Sequence, residues 1–238
     1  MIGTPRQPEL IVALDVPSSD RIPAILDALP PAVTWYKVGL ELFAGEGPAA
    51  MSLLKARGKR IFLDLKFHDI PRTVARAVLS AARLGAGMVT VHAAGGRDML
   101  KAAAEAAGES GVPDLALVAV TTLTSLNDKD LKEMGVSRPL TEHTLALGEM
   151  AFAAGIPGLV CSPLEAAAFR RTLGPTPILV TPGIRPAGAD AGDQKRIATP
   201  RDAIQAGANF LVVGRPILEA ADMNRASLLI LDQIKQAV

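Results

Sequence analysis

The run Asp64-Leu65-Lys66-Phe67-His68-Asp69 places two acids and a lysine at the end of an apolar stretch, Arg60-Ile61-Phe62-Leu63, just ahead of Pro71. Side chains two apart on a strand share a face, so Asp64 and Lys66 point one way and Leu65 the other. Asp69 lies past the strand, where Pro71 suits the first turn of a helix. An ammonium beside carboxylates can stabilise a developing negative charge and deliver a proton, which is chemistry for a reactive site and not for a core.

Positioning such groups takes elements, and their pattern repeats along the chain. Short β-rich runs fall at Leu10–Asp15, Thr34–Val38, Arg60–Lys66, Met88–His92, Leu115–Val120, Gly158–Cys161, Ile178–Thr181 and Phe210–Val213. Between them, helical stretches are expected over Ser18–Leu29, Pro48–Arg57, Pro71–Leu84, Asp98–Ala107, Leu140–Ala154, Pro163–Thr172, Pro200–Ala206 and from Pro216 onward. Strands alternating with crossover helices imply a parallel sheet, and eight such units in 238 residues imply a single α/β domain over 1–238, a (β/α)8 TIM barrel. Two longer connections, Ser125–Pro139 and Gly183–Thr199, follow the fifth and seventh strands on the side where barrel enzymes hold their sites, and either is a candidate lid.

A barrel enzyme gathers its working residues at the C-terminal strand ends. Asp15, Lys37, Asp64 with Lys66, and His92 stand at the ends of the first four strands. Thr121, Thr122 and Thr124 follow the fifth strand, Ser162 the sixth, Pro182-Gly183 the seventh and Gly214-Arg215 the eighth. Gly214-Arg215-Pro216 combines a close backbone approach, a guanidinium and a helix-opening proline, a combination suited to a phosphate dianion.

Composition narrows the partners. With 25 basic against 24 acidic residues, the net charge of +1 offers no footprint for nucleic acid or a membrane surface. Met1 to Glu9 carries no apolar signal core, and no apolar run approaches the ~18 residues of a spanning helix, so a cytoplasmic location is expected. The one cysteine, Cys161, lies in a strand-like run and is read as a buried apolar group. His68 is expected to make a supporting hydrogen bond, His92 to be structural and His143 to be solvated, so no metal-ligand set is expected.

In order along the chain, Asp64-x-Lys66-x-x-Asp69, Val120-Thr121-Thr122-Leu123-Thr124-Ser125, Val180-Thr181-Pro182-Gly183-Ile184-Arg185-Pro186 and Gly214-Arg215-Pro216 resemble the motifs of orotidine 5'-phosphate decarboxylases. The resemblance implies removal of carbon dioxide from carbon 6 of orotidine 5'-phosphate without metal or organic cofactor, giving uridine 5'-phosphate in pyrimidine synthesis. Lys66 is similar to the family's proton donor, Asp64 to the acid beside the substrate carboxylate, and Lys37 to the second lysine of the charged network. Two like charges ~4 Å apart repel by ~4 kcal/mol at an effective dielectric near 20, a stress relieved as carbon dioxide leaves. Asp15 matches the acid near the ribose hydroxyls, Thr124 the pyrimidine contact, Gln194 the bridge between base and phosphate, and Arg185 and Arg215 the phosphate clamps. Pro182 and Gly214 belong to the same substrate-binding motifs. Asp69 and Thr73 match residues that complete the neighbouring subunit's site, which implies a homodimer. Arg72 departs from the pattern, since many bacterial members carry asparagine there.

Three rival readings follow from the same residues. A sugar-phosphate decarboxylase or aldolase of the same suprafamily would use Asp-x-Lys-x-x-Asp with magnesium, but has no evident need for Thr124, Gln194 and the Pro182–Arg185 loop. A silent nucleotide-binding barrel would have no need of Lys37, Asp64, Lys66 and Asp69 together. A Schiff base on Lys66 requires a neutral amine, which adjacent carboxylates oppose.

Overall fold

Strand β1 (Glu9–Ala13) pairs with β2 (Trp35–Val38), and the order continues through β3 (Arg60–Phe67), β4 (Met88–His92), β5 (Ala116–Val120), β6 (Gly158–Val160), β7 (Ile178–Thr181) and β8 (Phe210–Val213). The last strand pairs back onto β1, so the sheet closes as an eight-stranded parallel barrel, as the alternating pattern implies. This computed structural model describes residues 7–186 and 196–237.

Strand periodicity splits the apolar side chains into two cores. Ile11, Trp35, Phe62, Met88, Val118 and Phe210 point inward and plug the barrel, with the Trp35 and Phe210 rings edge to face at 5.6 Å. Outward residues such as Val12, Tyr36, Leu63, Val89 and Leu179 pack beneath the helical ring. The inner plug closes the barrel below, so polar groups at the strand ends face one open mouth.

The helices around the barrel are α1 (Ile22–Ala28), α2 (Leu40–Glu46), α3 (Pro48–Ala56), α4 (Pro71–Arg83), α5 (Gly96–Glu109), α6 (Asp128–Glu133), α7 (Leu140–Ala153), α8 (Pro163–Leu173), α9 (Pro200–Gln205), α10 (Arg215–Leu218) and α11 (Met223–Gln236). Proline sits in the first turn of α3, α4, α8 and α9, where its missing N–H costs no helical bond.

Several boundaries differ from expectation for local reasons. The Ser18–Leu29 run begins as a 3-10 turn over Ser19–Arg21, and Pro23 then opens α1. The helix expected from Pro216 onward is two, because Asp222 caps a new start by accepting from the Arg225 N–H at 2.9 Å. The Ser125–Pro139 connection contains α6, nucleated by a capping box between Asn127 and Asp130. Strand β1 stops at Ala13, leaving Asp15 just past its end, while β3 runs on to Phe67.

Arg170, near the end of α8, locks the entry side of the last two strands. Its guanidinium donates to the carbonyls of Gly207 at 2.7 Å and Pro177 at 2.8 Å and to Asn209 Oδ1 at 2.6 Å. Asn209 Oδ1 also accepts the Leu179 N–H at 2.8 Å. Replacing Arg170 by methionine strands these acceptors. We expect a loss on the order of 3 kcal/mol at roughly 1.5–3 kcal/mol per charged hydrogen bond, seen as a fall in Tm of roughly 6–12 °C.

Candidate active site

Asp15, Lys37, Asp64 and Lys66 form one continuous row at the barrel mouth. Lys37 Nζ lies 2.9 Å from Asp15 Oδ1 and 3.8 Å from Asp64 Oδ2, and Lys66 Nζ lies 2.9 Å from Asp64 Oδ1. Acid, base, acid and base alternate, so each ammonium has a carboxylate and the row is neutral. The side chains grade from 51% exposed at Asp15 to 12% at Lys37 and 14% at Asp64, with Lys66 at 31%, so the inner pair is held away from bulk water while Lys66 keeps a face to the cavity.

Sheet register brings these residues together. Ala13 pairs with Lys37 and Lys37 with Phe62, so inward positions line up across β1, β2 and β3. Two glycines give the row its room. A Cβ on Gly39 would come within 2.8 Å of Lys37 Nζ, and one on Gly214 within 2.9 Å of Asp15 Oδ2.

The row lines a cavity of about 370 Å³, within the ~300–1,000 Å³ of small-molecule sites. Phe62, Val160 and Val212 contribute apolar lining. Of the residues expected from sequence, the cavity gathers Asp15, Lys37, Asp64 and Lys66, Thr124 from the connection after β5, Pro182 and Arg185 after β7, and Gly214 and Arg215 after β8. β7 stands four strands from β3 around the closed barrel, so Arg185 and the Asp64–Lys66 pair come from opposite walls. Arg185 is 8% exposed, and the stem of its loop is pinned where its N–H donates to the Ala198 carbonyl at 2.9 Å. Gly214 leads into α10, a helix of only four residues, so the anion site expected there has a single turn behind it.

Asp69 and Thr73 do not join the cavity. Both are exposed beyond β3 at the entrance to α4, and Asp69 Oδ1 accepts the neighbouring Ile70 N–H at 2.7 Å. Gln194 and the rest of the connection between Pro186 and Arg196 lie outside the described residues. Thr121 and Thr122 have supporting contacts: Thr121 Oγ1 donates to the Val160 carbonyl at 3.1 Å, and Thr144 Oγ1 donates to Thr122 Oγ1 at 2.8 Å.

Sequence reasoning passed over several residues that shape the site. Thr90 is fully buried on β4 and contacts both Asp64 and Lys66. Leu123 adds an apolar wall. Glu165 and Arg196 form a buried ion pair, and Arg196 Nη2 also donates to the carbonyls of Leu123 at 2.8 Å and Thr122 at 3.3 Å. Glu165 simultaneously caps α8 by accepting the Ser162 N–H at 2.8 Å. Burial pushes the Glu165 carboxyl up, against the opposing pull of Arg196 and that N–H. The pair ties the far end of the loop after β7 to the loop that carries Thr124. The Ser162-x-x-Glu165 capping signature was readable in the sequence, but its second partner was not.

The histidines and the cysteine take structural places. His68 stacks on His92 with ring centroids 5.1 Å apart, so a ring contact stands where a hydrogen bond was expected. His92 Nδ1 accepts the Ala94 N–H at 3.2 Å. His143 is half-buried in α7 rather than solvated. Cys161 is 1% exposed and burial pushes its thiol up, which leaves it protonated and inert.

Residues 8–229 match the model of a family described as orotidine 5'-phosphate decarboxylase / HUMPS. A protein of Nostoc sp. named orotidine 5'-phosphate decarboxylase is 51% identical over 219 residues, covering 90% of this chain and 92% of its own. One of Rhodopseudomonas palustris with the same name is 52% identical over 229 residues, covering 96% of this chain and 95% of its own. The crystal structure of orotidine 5'-phosphate decarboxylase from Lactobacillus acidophilus superposes with a TM-score of 0.85 at 39% identity, covering 96% of this chain and 99% of that one.

Burial, then the charges of His68 and Lys66, lower the His92 pKa from its usual 6.5. The unfolded chain therefore takes up a proton near pH 6.5 that the folded chain refuses. Stability is lost as pH falls below 6.5, until the folded pKa is reached. His92→Asn keeps an acceptor for the Ala94 N–H but does not titrate, so its Tm should decline less steeply than that of the wild type between pH 8 and 5.5. Parallel declines would rule His92 out as the source.

Proposed function

The chain belongs to the orotidine 5'-phosphate decarboxylase / HUMPS family, and on that premise we propose that it is a cytoplasmic enzyme that converts orotidine 5'-phosphate to uridine 5'-phosphate and carbon dioxide. The observation that carries this reading is the Asp15–Lys37–Asp64–Lys66 row, set in one cavity with Arg185, Gly214 and Arg215. A ligand with a charged ring at one end and a phosphate at the other suits that layout. Names carried by relatives at about half identity support the decarboxylase over the sugar-phosphate branch of the family.

In this mechanism the carbon 6–carboxylate bond breaks heterolytically, carbon dioxide departs, and the electron pair stays on carbon 6. Lys66 Nζ, as an ammonium, stabilises that charge and transfers a proton to carbon 6, then regains one from solvent. Asp64 places negative charge beside the substrate carboxylate, a repulsion that ends when carbon dioxide leaves. Its bond to Lys66 also aims the ammonium. Lys37 neutralises the other face of Asp64 and holds Asp15 toward the ribose hydroxyls. Thr124 contacts the pyrimidine, Gln194 bridges base and phosphate, and Arg185 and Arg215 bind the phosphate with the backbone at Gly214. Binding energy won at the phosphate sustains the arrangement at carbon 6.

The reading includes one barrel domain over 1–238 acting as a homodimer. Asp69 and Thr73, exposed at the start of α4 and away from this chain's own cavity, are the residues it assigns to the partner's site. Arg72 sits between Pro71 and Thr73 on the same exposed turn, where an added cation meets that interface.

The test is ultraviolet loss of orotidine 5'-phosphate in the presence of a chelator. The wild type should form uridine 5'-phosphate without metal, and Lys66→Ala should lose at least the ~10²–10⁴-fold due to a positioned proton donor. A folded wild type that needs magnesium would move the assignment to the sugar-phosphate branch. Binding of uridine 5'-phosphate without turnover would move it to a silent barrel. A borohydride-trapped adduct on Lys66 would replace the proton-donor role with a Schiff base.

A further inference from the structure

The pairing of β3 with β4 is irregular at the site itself. Leu63 pairs with Val89, but the next matched pair is Phe67 with Val91, so Asp64, Leu65 and Lys66 together face the single residue Thr90. Lys66 takes up the slack with a left-handed backbone, φ +50°, the one non-glycine residue with positive φ among the described residues. A lysine in that region is strained and persists only where its surroundings hold it.

Thr90 is the residue that holds it. Its side chain is completely buried beneath the cavity. Thr90 Oγ1 accepts the Lys66 N–H at 2.8 Å. The hydroxyl proton is then free to donate, and it does so to Asp64 Oδ1 at 3.1 Å. That carboxylate oxygen is the one that receives Lys66 Nζ at 2.9 Å. A single buried hydroxyl therefore closes a ring of backbone, carboxylate and ammonium. An ionised carboxylate accepts only, so the direction of both Thr90 bonds follows.

We propose that Thr90 is a positioning residue for the reaction, acting through its hydroxyl to fix Lys66 and Asp64 relative to one another. It touches no reacting atom. Its action lies in confining the ammonium to the arc over carbon 6 and keeping the Asp64 carboxylate from rotating toward Lys37 alone. For its kinetic readout the inference rests on the decarboxylase reading above.

The experiment compares Thr90→Val, which keeps the shape and removes both bonds, with Thr90→Ser, which keeps the hydroxyl and removes the methyl. For Thr90→Val we expect kcat on orotidine 5'-phosphate to fall on the order of 10²-fold, the usual consequence of a small misplacement of reacting groups. KM and the Kd of uridine 5'-phosphate should stay near wild type, since the phosphate and base contacts are untouched. Thr90→Ser should recover most of kcat. The Lys66 amide, followed by hydrogen exchange, should exchange faster in Thr90→Val and not in Thr90→Ser. Wild-type kcat in Thr90→Val, equal impairment in both variants, or a parallel loss of nucleotide binding would overturn the proposal. Should Thr90→Val not fold, Thr90→Cys, whose thiol is poor at both bonds, reads the same split. If the wild type itself does not turn over orotidine 5'-phosphate, the decarboxylase reading fails, and the amide exchange still decides whether the Thr90 hydroxyl holds Lys66.

Discussion

The Asp64 carboxylate is the point through which the site is wired. It receives Lys66 Nζ at 2.9 Å and Thr90 Oγ1 at 3.1 Å on one oxygen, and Lys37 Nζ approaches the other at 3.8 Å. A carboxylate so far out of water costs several kcal/mol unless its lone pairs are occupied, and here donors come from three neighbouring strands. Two of the three donors are in turn held elsewhere: Lys37 by Asp15, and Thr90 by the Lys66 backbone. Such a network tolerates no loose member, because losing one donor leaves a buried charge exposed to its neighbours' repulsion or to none of their attraction.

The barrel supplies what the network needs. Below it, the Trp35, Phe62 and Phe210 plug excludes water and keeps the local dielectric low, which strengthens each bond in the row. Around it, parallel pairing in register sets Lys37 beside Ala13 and Phe62 to the accuracy of a hydrogen-bond ladder. The more variable connections attach to this frame at few points. Arg196 is one of them, bonded both to Glu165 at the start of α8 and to the backbone of Thr122 and Leu123, so the loops after β5 and β7 share an anchor. Precision thus resides in the strands, and the loops inherit it.

The same division explains what was legible in the sequence. Lys37, Asp64 and Lys66 could be placed at one mouth because strand side chains alternate and because apolar runs end where these charges begin. The eight strands were visible for the same reason. Thr90 was not, because Met88-Val89-Thr90-Val91-His92 reads as an ordinary β-branched strand. Its use depends on how β3 slips against β4, a fact of pairing that no single segment carries. The helices α2 and α6 escaped because seven and six residues give too few turns for a periodic pattern and neither has the opening proline that marks the equally short α1 and α9. The trans role of Asp69 and Thr73 came from the family resemblance alone, since their spacing had no means to suggest it, and the structure shows both exposed at the entrance to α4.

Lys66 shows why a local rule is broken at this position and nowhere else among the described non-glycine residues. Its backbone conformation is one that glycine adopts freely and that costs an L-residue roughly 1–2 kcal/mol. Glycine there would relieve the strain and keep the amide bond to Thr90, yet it would leave Asp64 without its closest cation. A regular strand would relieve it too and would keep Lys66 on the face of Asp64, but would return its N–H to ladder pairing and away from Thr90 Oγ1. The strain is offset by a short charge-assisted bond to Asp64 and by the buried hydroxyl beneath. When conformation favours glycine and the chain holds a lysine, the ammonium is what the position requires, and the bulge is the device that sets its backbone against the Thr90 hydroxyl.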